Sequence, residues 1–384
     1  MSRFHSYVLS AKSILQLYKG ELPFAIFLKK YFSGNKKFGS KDRKLIAECC
    51  YAWFRCAHLF KQNCTEDNII TSLFFCNNQS NTLLQNLHPN INNNIHLPVT
   101  DKLKLYSMEP ADVFPFYQSI GSIEKEVFAL SLFQQPSLFL RARPGNESTV
   151  KQKLENSNIN FSVYNDCFEL PNASRLDDVI LINKEAVVQD KSSQKVFDYL
   201  RNKPIENTTL EVWDCCAASG GKSILLNDLL KKKYKLTVSD IRPSILHNCK
   251  QRLQQAGINI AHAFVADISK PIPGLASNKF DIIICDAPCT GSGTWGRTPE
   301  QLAFFEESKI AEYSALQKSI AKNAAAYLKP QGMFIYITCS VFEKENEEVV
   351  NFLKQQTSLK LSFSNYLPGY QCKADTLFVA VFKS

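Results

Sequence analysis

The chain has 384 residues, enough for two or three domains, and its hydrophobic fraction of 45% is ordinary for a globular protein. It contains no apolar run near the roughly 18 residues that a membrane span needs, so we expect no membrane partner. The net charge of +9 lies entirely in residues 1–61, which hold 12 basic and three acidic residues. A basic segment on a neutral body indicates a polyanionic partner, although a solvated basic face without a partner would give the same pattern.

The chain has 13 cysteines and six histidines, without a Cys-x-x-Cys pair. This spacing does not favour a structural zinc site, so no metal is expected. The odd cysteine count and the lack of a charged start followed by a long apolar stretch indicate a cytoplasmic protein with reduced thiols. Most of the cysteines are therefore interpreted as small buried hydrophobic residues, and nothing in the sequence indicates more than a monomer.

Apolar residues recur at three- and four-residue steps in the amino-terminal segment, which is typical of amphipathic helices. We predict helices over Phe4–Tyr18, Leu22–Phe32 and Leu45–Phe54, with Ser40 capping the third. Residues 62–110 include an Asn-rich run and are interpreted as a loop between helices. Residues 1–130 are therefore predicted to form a basic helical domain.

Residues 131–187 show shorter apolar runs that favour a small α/β domain. We predict strands over Ser137–Arg143, Phe161–Tyr164 and Phe168–Leu170, with a helix over Ser148–Ser157.

In residues 188–384 apolar strand runs alternate with helical stretches, the pattern of a doubly wound and mostly parallel α/β sheet. The last strand is expected to be antiparallel. The predicted strands are Leu210–Trp213, Lys235–Ser239, Ala261–Val265, Phe280–Cys285, Met333–Thr338 and Leu377–Phe382, and the predicted helices are Ser223–Lys232, Ser244–Ala256, Lys309–Leu328 and Asn346–Gln355.

The turn after the first strand of this sheet, Trp213-Asp-Cys-Cys-Ala-Ala-Ser-Gly-Gly-Lys-Ser, has small residues that let backbone amides approach a ligand. A phosphate-binding P-loop would need Gly at position 216, which is Cys216, and the dinucleotide pattern Gly-x-Gly-x-x-Gly is absent. The remaining interpretation is the nucleoside site of a methyltransferase. In such a site an acid after the second strand binds the ribose and an acid after the third meets the adenine, and Asp240 and Asp267 occupy these positions.

Two cysteines follow the fourth and fifth strands. Cys289 lies in Asp286-Ala-Pro-Cys-Thr-Gly-Ser-Gly, and Cys339 lies in Tyr336-Ile-Thr-Cys-Ser. Consecutive parallel strands joined by one helix usually lie side by side, about 4.8 Å apart. Both thiols are therefore predicted to meet at the carboxyl edge of the sheet, where open α/β sheets bind ligands.

Over Gln189–Val350 these motifs resemble the bacterial ribosomal-RNA cytosine-5 methyltransferases of the RsmB type, which are related to the eukaryotic nucleolar and NSUN enzymes. The loop Cys216–Lys222 is similar to the family's Cys-Ala-Ala-Pro-Gly-Gly-Lys. The stretches containing Cys289 and Cys339, the latter with Glu345-Asn-Glu, resemble its fourth and sixth motifs. Gln189-Asp-Lys-Ser-Ser-Gln is similar to the family's lead-in to the methyltransferase core, and Ser137–Pro144 is similar to its preceding small domain. A weaker likeness is that of Ser40–Arg55 to its NusB-like RNA-binding helices.

The resemblance implies a Rossmann-like class I methyltransferase core over 188–384, a small α/β extension over 131–187 and a NusB-like RNA-binding domain over 1–130. It implies S-adenosyl-L-methionine as cofactor and assigns the following contacts to it: Cys216, Ala217, Ala218, Ser219, Gly220, Gly221, Lys222, Asp240, Asp267 and Asp286. It implies RNA contacts at Arg43, Lys44, Arg55 and Arg297. Two departures are Ser219, which replaces a Pro, and Gly296, which replaces a commonly basic residue.

The resemblance also implies a division of labour between the two thiols. Carbon 5 of cytosine is a poor nucleophile until a thiolate adds to carbon 6, and the family assigns that addition to Cys339. Cys289 is assigned to release of the product, Asp286 to the base edge, and Lys222 to positioning the base or balancing Asp286. A DNA cytosine methyltransferase would instead use Cys289 as its nucleophile.

The expected substrate is a cytosine of 16S ribosomal RNA, with transfer RNA as the alternative. A non-catalytic RNA-binding factor for ribosome assembly is a further alternative, which intact Cys289, Cys339, Asp286 and Lys222 disfavour. The target base must be single-stranded or flipped out of its helix, and phosphate contacts of the basic domain would offset that cost.

Overall fold

The computed structural model describes residues 2–201, 209–230 and 233–384. The chain divides into two compact units. The helical unit comprises Met1–Ile120, Glu124–Gln135 and Thr294–Glu307, and the sheet unit comprises Gly121–Ile123, Pro136–Gly293 and Ser308–Ser384. The helical unit thus overlaps the predicted basic domain and also includes a segment from far along the chain.

The described residues contain fifteen α-helices. They are α1 Arg3–Leu17, α2 Phe24–Gly34, α3 Ser40–Cys56, α4 Glu66–Cys76, α5 Thr82–Leu87, α6 Pro89–Asn93, α7 Val99–Leu105, α8 Pro110–Val113, α9 Lys125–Ser131, α10 Glu147–Asn156, α11 Gly221–Leu229, α12 Pro243–Gln255, α13 Pro299–Phe304, α14 Ser308–Ala325 and α15 Glu347–Gln356. None of these helices combines the length and the hydropathy needed to cross a membrane.

The described residues also contain eleven strands. They are β1 Leu138–Ala142, β2 Ser162–Tyr164, β3 Cys167–Leu170, β4 Ala186–Val188, β5 Thr209–Asp214, β6 Lys233–Asp240, β7 Ile260–Val265, β8 Phe280–Asp286, β9 Leu328–Thr338, β10 Lys360–Leu367 and β11 Leu377–Lys383. The predicted helix end at Lys232 lies outside the described residues.

The three predicted amino-terminal helices are present in the helical unit as α1, α2 and α3, and each buries its apolar face. The prediction that Ser40 caps the third helix is wrong. Gly39 is the cap residue, and its N–H donates to Asp42 Oδ2 at 2.9 Å. In α3 the side chains of Cys49 and Cys50 are fully buried, as expected of small hydrophobic residues.

The prediction of a loop over residues 62–110 is also wrong, because four helices, α4 to α7, lie there. Polar residues that suggested a loop are helix caps in two of these helices. Thr65 Oγ1 accepts from the N–H of Asn68 at the start of α4, and Asn81 Oδ1 accepts from the N–H groups of Leu83 and Leu84 at the start of α5. Short helices begun by such caps have too little apolar periodicity to be recognised from sequence.

The smaller sheet of the sheet unit is antiparallel, with strand order β2-β3-β1-β4. The three strands predicted in residues 131–187 are β1, β2 and β3, and α10 is the predicted helix. The prediction missed β4, a three-residue strand that pairs with β1.

The larger sheet confirms the doubly wound α/β architecture. Its strand order is β10-β11-β9-β8-β5-β6-β7. The pairs from β9 to β7 are parallel, and β11 pairs antiparallel with both β9 and β10. The final antiparallel strand was predicted, whereas β10, whose residues are mostly exposed, was not.

Both faces of this sheet are buried, which explains the continuous apolar runs of its strands. In β5 the side chain of Val212 lies in one hydrophobic cluster and that of Trp213 in the other. Ile284 and Cys285 of β8 divide in the same way. The sheet is therefore a rigid layer whose carboxyl edge holds the loops that follow β5, β6, β8 and β9.

A buried charge cluster joins the smaller sheet to α11 within the sheet unit. Asp228 of α11 accepts from Arg141 Nη1 at 2.7 Å and from Arg143 Nη2 at 2.7 Å. The side chains of Asp228 and Arg141 are only 4% and 3% exposed. Removing one partner of such a cluster leaves an uncompensated buried charge.

We expect Asp228→Asn to lower the free energy of unfolding by about 3–5 kcal/mol, because two buried guanidinium groups lose their counter-charge. The measurement is chemical denaturation followed by circular dichroism. As a matched control, Asp198→Asn removes a carboxylate whose ion pair with Arg201 is about half exposed and should leave stability nearly unchanged. Equal losses in the two variants would contradict a structural role for the buried cluster.

Candidate active site

The side chains of Cys289 and Cys339 meet at the carboxyl edge of the larger sheet, with their sulfurs 3.2 Å apart. They do so because β8 and β9 are parallel neighbours whose last residues are in register, Asp286 opposite Ile337. Both cysteines are half-buried. The structure thus brings together the two residues that the sequence placed after adjacent strands.

The loop that carries Cys289 is held against the loop that carries Cys339 by backbone contacts at Gly293. The N–H of Gly293 donates to the carbonyl of Cys339 at 2.8 Å, and its carbonyl accepts from the N–H of Thr376 at 2.9 Å. A Cβ at Gly293 would lie 2.0 Å from the Thr376 oxygen, so only glycine fits this close approach.

The two thiols differ in their electrostatic surroundings. The hydrogen bond to Cys339 raises the pKa of Cys289 well above its usual value, and burial and the charges of Cys339 and Glu345 add to that effect. The protonated form of Cys289 is therefore favoured.

Lys222 and Asp286 form an ion pair beside the thiols, with Lys222 Nζ 2.7 Å from Asp286 Oδ2. Burial lowers the pKa of Lys222, but the charges of Asp286, Cys339 and Asp214 outweigh it, so the pKa is raised overall. Lys222 is therefore held in its charged form beside the thiols.

Asp214 lies beneath this ion pair at the end of β5 and is fully buried. Its Oδ2 accepts from Ser223 Oγ at 2.7 Å. Burial, reinforced by the charge of Asp286, raises the pKa of Asp214 to about 7.

The predicted cofactor loop, Cys216–Lys222, connects β5 to α11 and lies beside Asp240. The N–H of Ala218 donates to Asp240 Oδ2 at 3.1 Å. Gly220 has a φ of +78°, and a Cβ there would lie 3.0 Å from Cys249 Sγ. The small residues of this loop are therefore required both by its backbone conformation and by its packing on α12.

Ser219, which replaces the proline of the related motif, is anchored by Arg252 of α12. Arg252 Nη1 donates to Ser219 Oγ at 2.9 Å and to its carbonyl at 3.3 Å. This side-chain contact restrains the loop at the position where proline would have restrained the backbone.

Asp240 and Asp267 differ in how closely they adjoin the loop. Asp240 is buried and is ion-paired with Arg242, which lowers its pKa despite burial. Asp267 is 38% exposed, and Ser269 Oγ donates to it at 2.6 Å, a bond that contributes most to its lowered pKa. Asp267 lines an open cavity of about 640 Å³ together with Phe264 of β7 and with Ile272 and other residues that follow the strand.

One of the four predicted RNA contacts is corrected by the structure. Arg55 is 4% exposed, and its guanidinium donates to the carbonyls of Leu132, Gln134 and Gly296 and to the side chain of Gln135. Arg55 therefore connects separate segments of the helical unit through buried hydrogen bonds and is not available to RNA. Gly296, which stands where the related family commonly has a basic residue, supplies one of the carbonyl groups that accept from Arg55.

The other three predicted RNA contacts also lie in the helical unit. Lys44 is exposed, and Arg43 is half-buried, with Nε donating to the carbonyl of Phe38 at 2.8 Å. Arg297 is half-buried, and its N–H donates to the carbonyl of Thr294. A role for these three in RNA binding stays a prediction.

Sequence reasoning missed the side chains that hold the two cysteine loops together. They are Gln317 of α14 and the hydroxyls of Thr290, Ser292 and Ser340, all in contact with Glu345 or with one another. Gln317 occupies an ordinary helix position, so nothing in the sequence marks it. Among the described residues, His, Cys, Asp and Glu form no group of three or more suited to a metal ion.

Comparison with known proteins matches residues 200–377 to the family described as 16S rRNA methyltransferase RsmB/F. A Bacillus subtilis protein described as a probable ribosomal RNA small subunit methyltransferase B is 32% identical over 189 residues, 48% of this chain and 41% of that protein. A ribosomal RNA small subunit methyltransferase F of Shewanella loihica is 30% identical over 171 residues, 44% of this chain and 34% of that protein. The chain thus spans less than half the length of these relatives.

Solved structures share the fold. A protein designated PH0851 superimposes with a TM-score of 0.72 at 20% identity, over 100% of both chains. NSun6 from Pyrococcus horikoshii, solved with SFG, superimposes with a TM-score of 0.60 at 14% identity, over 70% of this chain and 96% of that one.

The raised pKa of Asp214 predicts a pH-dependent stability difference from Asp214→Asn. The folded-state pKa of about 7 exceeds the ordinary value of 3.8, so the stability that Asp214 contributes is complete below about pH 4 and is lost as the pH rises to about 7. Relative to Asp214→Asn, the wild-type free energy of unfolding should fall by up to about 1.4 kcal/mol per pH unit between pH 5 and 7. Denaturation series at pH 5, 6, 7 and 8 measure this, and a pH-independent difference would contradict it.

Proposed function

We propose, from the match of residues 200–377 to the RsmB/F methyltransferase family, that this chain methylates carbon 5 of a cytosine in RNA. The observation that carries the proposal is the 3.2 Å contact between the Cys289 and Cys339 sulfurs beside the Lys222–Asp286 ion pair. Two thiols in contact are suited to covalent addition and elimination at one base.

S-adenosylmethionine, when bound, supplies the methyl group as an electrophilic sulfonium. The residues present fit such a cofactor. The loop Cys216–Lys222 exposes backbone amides at the start of α11, and Asp240 holds an ionised carboxylate beside it, suited to two neighbouring hydroxyls. We assign Asp240 to the ribose, Asp267 to the adenine and Asp286 to the reacting end of the site.

Cys339 is the nucleophile in the proposed reaction. As a thiolate it forms a bond to carbon 6 of the cytosine, and carbon 5 gains the electron density that it needs to take up a methyl group. Asp286 accepts from the amino edge of the ring, and Lys222 balances the charge of Asp286.

Cys289 acts in release of the product. The hydrogen bond and charge that raise its pKa come mainly from Cys339, and both are lost when the Cys339 sulfur is bonded to carbon 6. Cys289, which is half-buried, then gives its proton to solvent more readily and, as a thiolate, takes the proton from carbon 5 and becomes a thiol again. As that proton leaves, the double bond between carbons 5 and 6 re-forms and the bond to Cys339 breaks.

The proposed substrate is a cytosine of small-subunit ribosomal RNA, in keeping with the names of the relatives, and transfer RNA is the alternative. The basic residues of the helical unit, including exposed Lys44, suit it to phosphate contacts. Binding should therefore weaken steeply with added salt. Bisulfite mapping of total RNA from a strain lacking the gene would identify the cytosine that loses its methyl group.

The assignment of the two cysteines predicts opposite outcomes for their variants. Cys289→Ala should accumulate a protein–RNA adduct that resists denaturation, because elimination is blocked after Cys339 has bonded to the base. Cys339→Ala should give neither adduct nor methylated RNA. Denaturing gel electrophoresis with labelled RNA and S-adenosylmethionine measures both.

Two controls make this result specific. Cys167→Ala replaces a buried cysteine of the smaller sheet, outside the thiol pair, and should form product without a persistent adduct. The reverse pattern, with the adduct trapped by Cys339→Ala, would make Cys289 the nucleophile and would overturn the assignment.

A further inference from the structure

Glu345 is a fully buried carboxylate that lies between the two cysteine loops and has no role in the proposed chemistry. It accepts four hydrogen bonds. Its Oε2 accepts from the N–H of Thr290 at 3.0 Å and from Gln317 Nε2 at 2.8 Å. Its Oε1 accepts from Thr290 Oγ1 at 2.5 Å and from Ser340 Oγ at 2.6 Å.

These donors belong to the residues next to the reactive thiols. Thr290 directly follows Cys289, and Ser340 directly follows Cys339. Gln317, itself fully buried, also donates to the carbonyl of Pro288 at 2.9 Å. The residues on both sides of Cys289 and the residue after Cys339 are thus tied to one carboxylate.

The carboxylate is itself held in place through its own backbone. Tyr336 of β9 donates its hydroxyl to the carbonyl of Glu345 at 2.7 Å, and Ser314 of α14 donates to the carbonyl of Lys344 at 2.6 Å. Glu345 is therefore anchored to the sheet and to a helix, while the groups that it binds lie on the loops.

Burying a carboxylate is costly unless it is fully hydrogen-bonded, and burial raises the pKa of Glu345 despite its four donors. A side chain that served packing alone would not need this charge. Its charge also contributes to the raised pKa of Cys289, so the same group favours the protonated form of the release thiol.

We propose that Glu345 is a positioning residue of the reaction, whose carboxylate joins the Cys289 loop to the Cys339 loop and so fixes the separation of the two sulfurs. The effect that loss of Glu345 should have on release of the methylated base rests on the proposed function. The effect that its loss should have on the distance between the two sulfurs does not depend on that function.

The first experiment measures that distance without RNA or cofactor. Diamide oxidises two neighbouring thiols to a disulfide and is itself reduced to the hydrazine, and peptide mass spectrometry follows the Cys289–Cys339 product over time. In Glu345→Ala the disulfide should form at least about tenfold more slowly, because displacements of about 1 Å in a reacting pair have effects of this size or larger.

The hydrogen bonds by which Glu345 joins the two cysteine loops are called the clamp. Two further variants distinguish loss of the clamp from loss of the charge of Glu345 and from general destabilisation of the fold. In Glu345→Gln the amide oxygen can face the N–H of Thr290 and Gln317, and the amide nitrogen can face the two hydroxyls, so oxidation should stay close to the wild-type rate. Glu343→Ala removes an exposed carboxylate from the same turn and should leave the rate unchanged. If Glu345→Ala does not fold, as judged by circular dichroism, Thr290→Val removes one donor and should slow oxidation to a smaller extent.

The second experiment uses RNA. Glu345→Ala should lower turnover and accumulate the denaturation-resistant adduct, because Cys339 can still attack while Cys289 is displaced from carbon 5. Unchanged disulfide formation in both Glu345→Ala and Thr290→Val would overturn the clamp. Slowed disulfide formation with no RNA adduct in any variant, including Cys289→Ala, would retain the clamp and overturn the proposed function.

Discussion

The parallel pairing of β8 with β9 is the constraint on which the site depends. Their backbone hydrogen bonds set Asp286 opposite Ile337, and the loops that leave these two strands then carry Cys289 and Cys339 to within 3.2 Å of each other. A shift of the register would separate the two thiols and would also turn buried side chains of both strands toward the opposite cluster. The hydrophobic layers on the two faces of the sheet therefore protect the geometry of the site as well as the stability of the fold.

Charges of opposite sign lie on the two sides of this contact. Lys222 is paired with Asp286 beside the thiols, whereas the buried carboxylate of Glu345 accepts from the N–H of Thr290, the residue after Cys289. A nearby anion disfavours a thiolate, and the charge of Glu345 contributes to the raised pKa of Cys289. The role proposed for Cys289 in release of the product is in keeping with this direction.

The helical unit shows how polar residues can mislead sequence interpretation. Residues 62–110 were expected to be a loop, yet Asn81 caps a helix there. Arg55 was expected to contact RNA because it is basic and lies in a basic segment. In the structure its guanidinium is bound by three carbonyl oxygens and one side-chain oxygen, one of them contributed by Gly296 from far along the chain. Local composition does not reveal such long-range partners.

The sequence by itself determined the alternation of strands and helices, the cofactor loop beside Asp240, and the meeting of Cys289 and Cys339. These depend on local periodicity and on the rule that consecutive parallel strands lie side by side. Only the tertiary structure decided that Gln317 and Glu345 clamp the two loops, that Arg252 restrains Ser219, and that Arg55 is buried. Apart from the Ser340–Glu345 bond, those contacts join residues from 28 to 241 positions apart, and a hydrogen bond between distant residues leaves no periodic signal in the sequence of either partner.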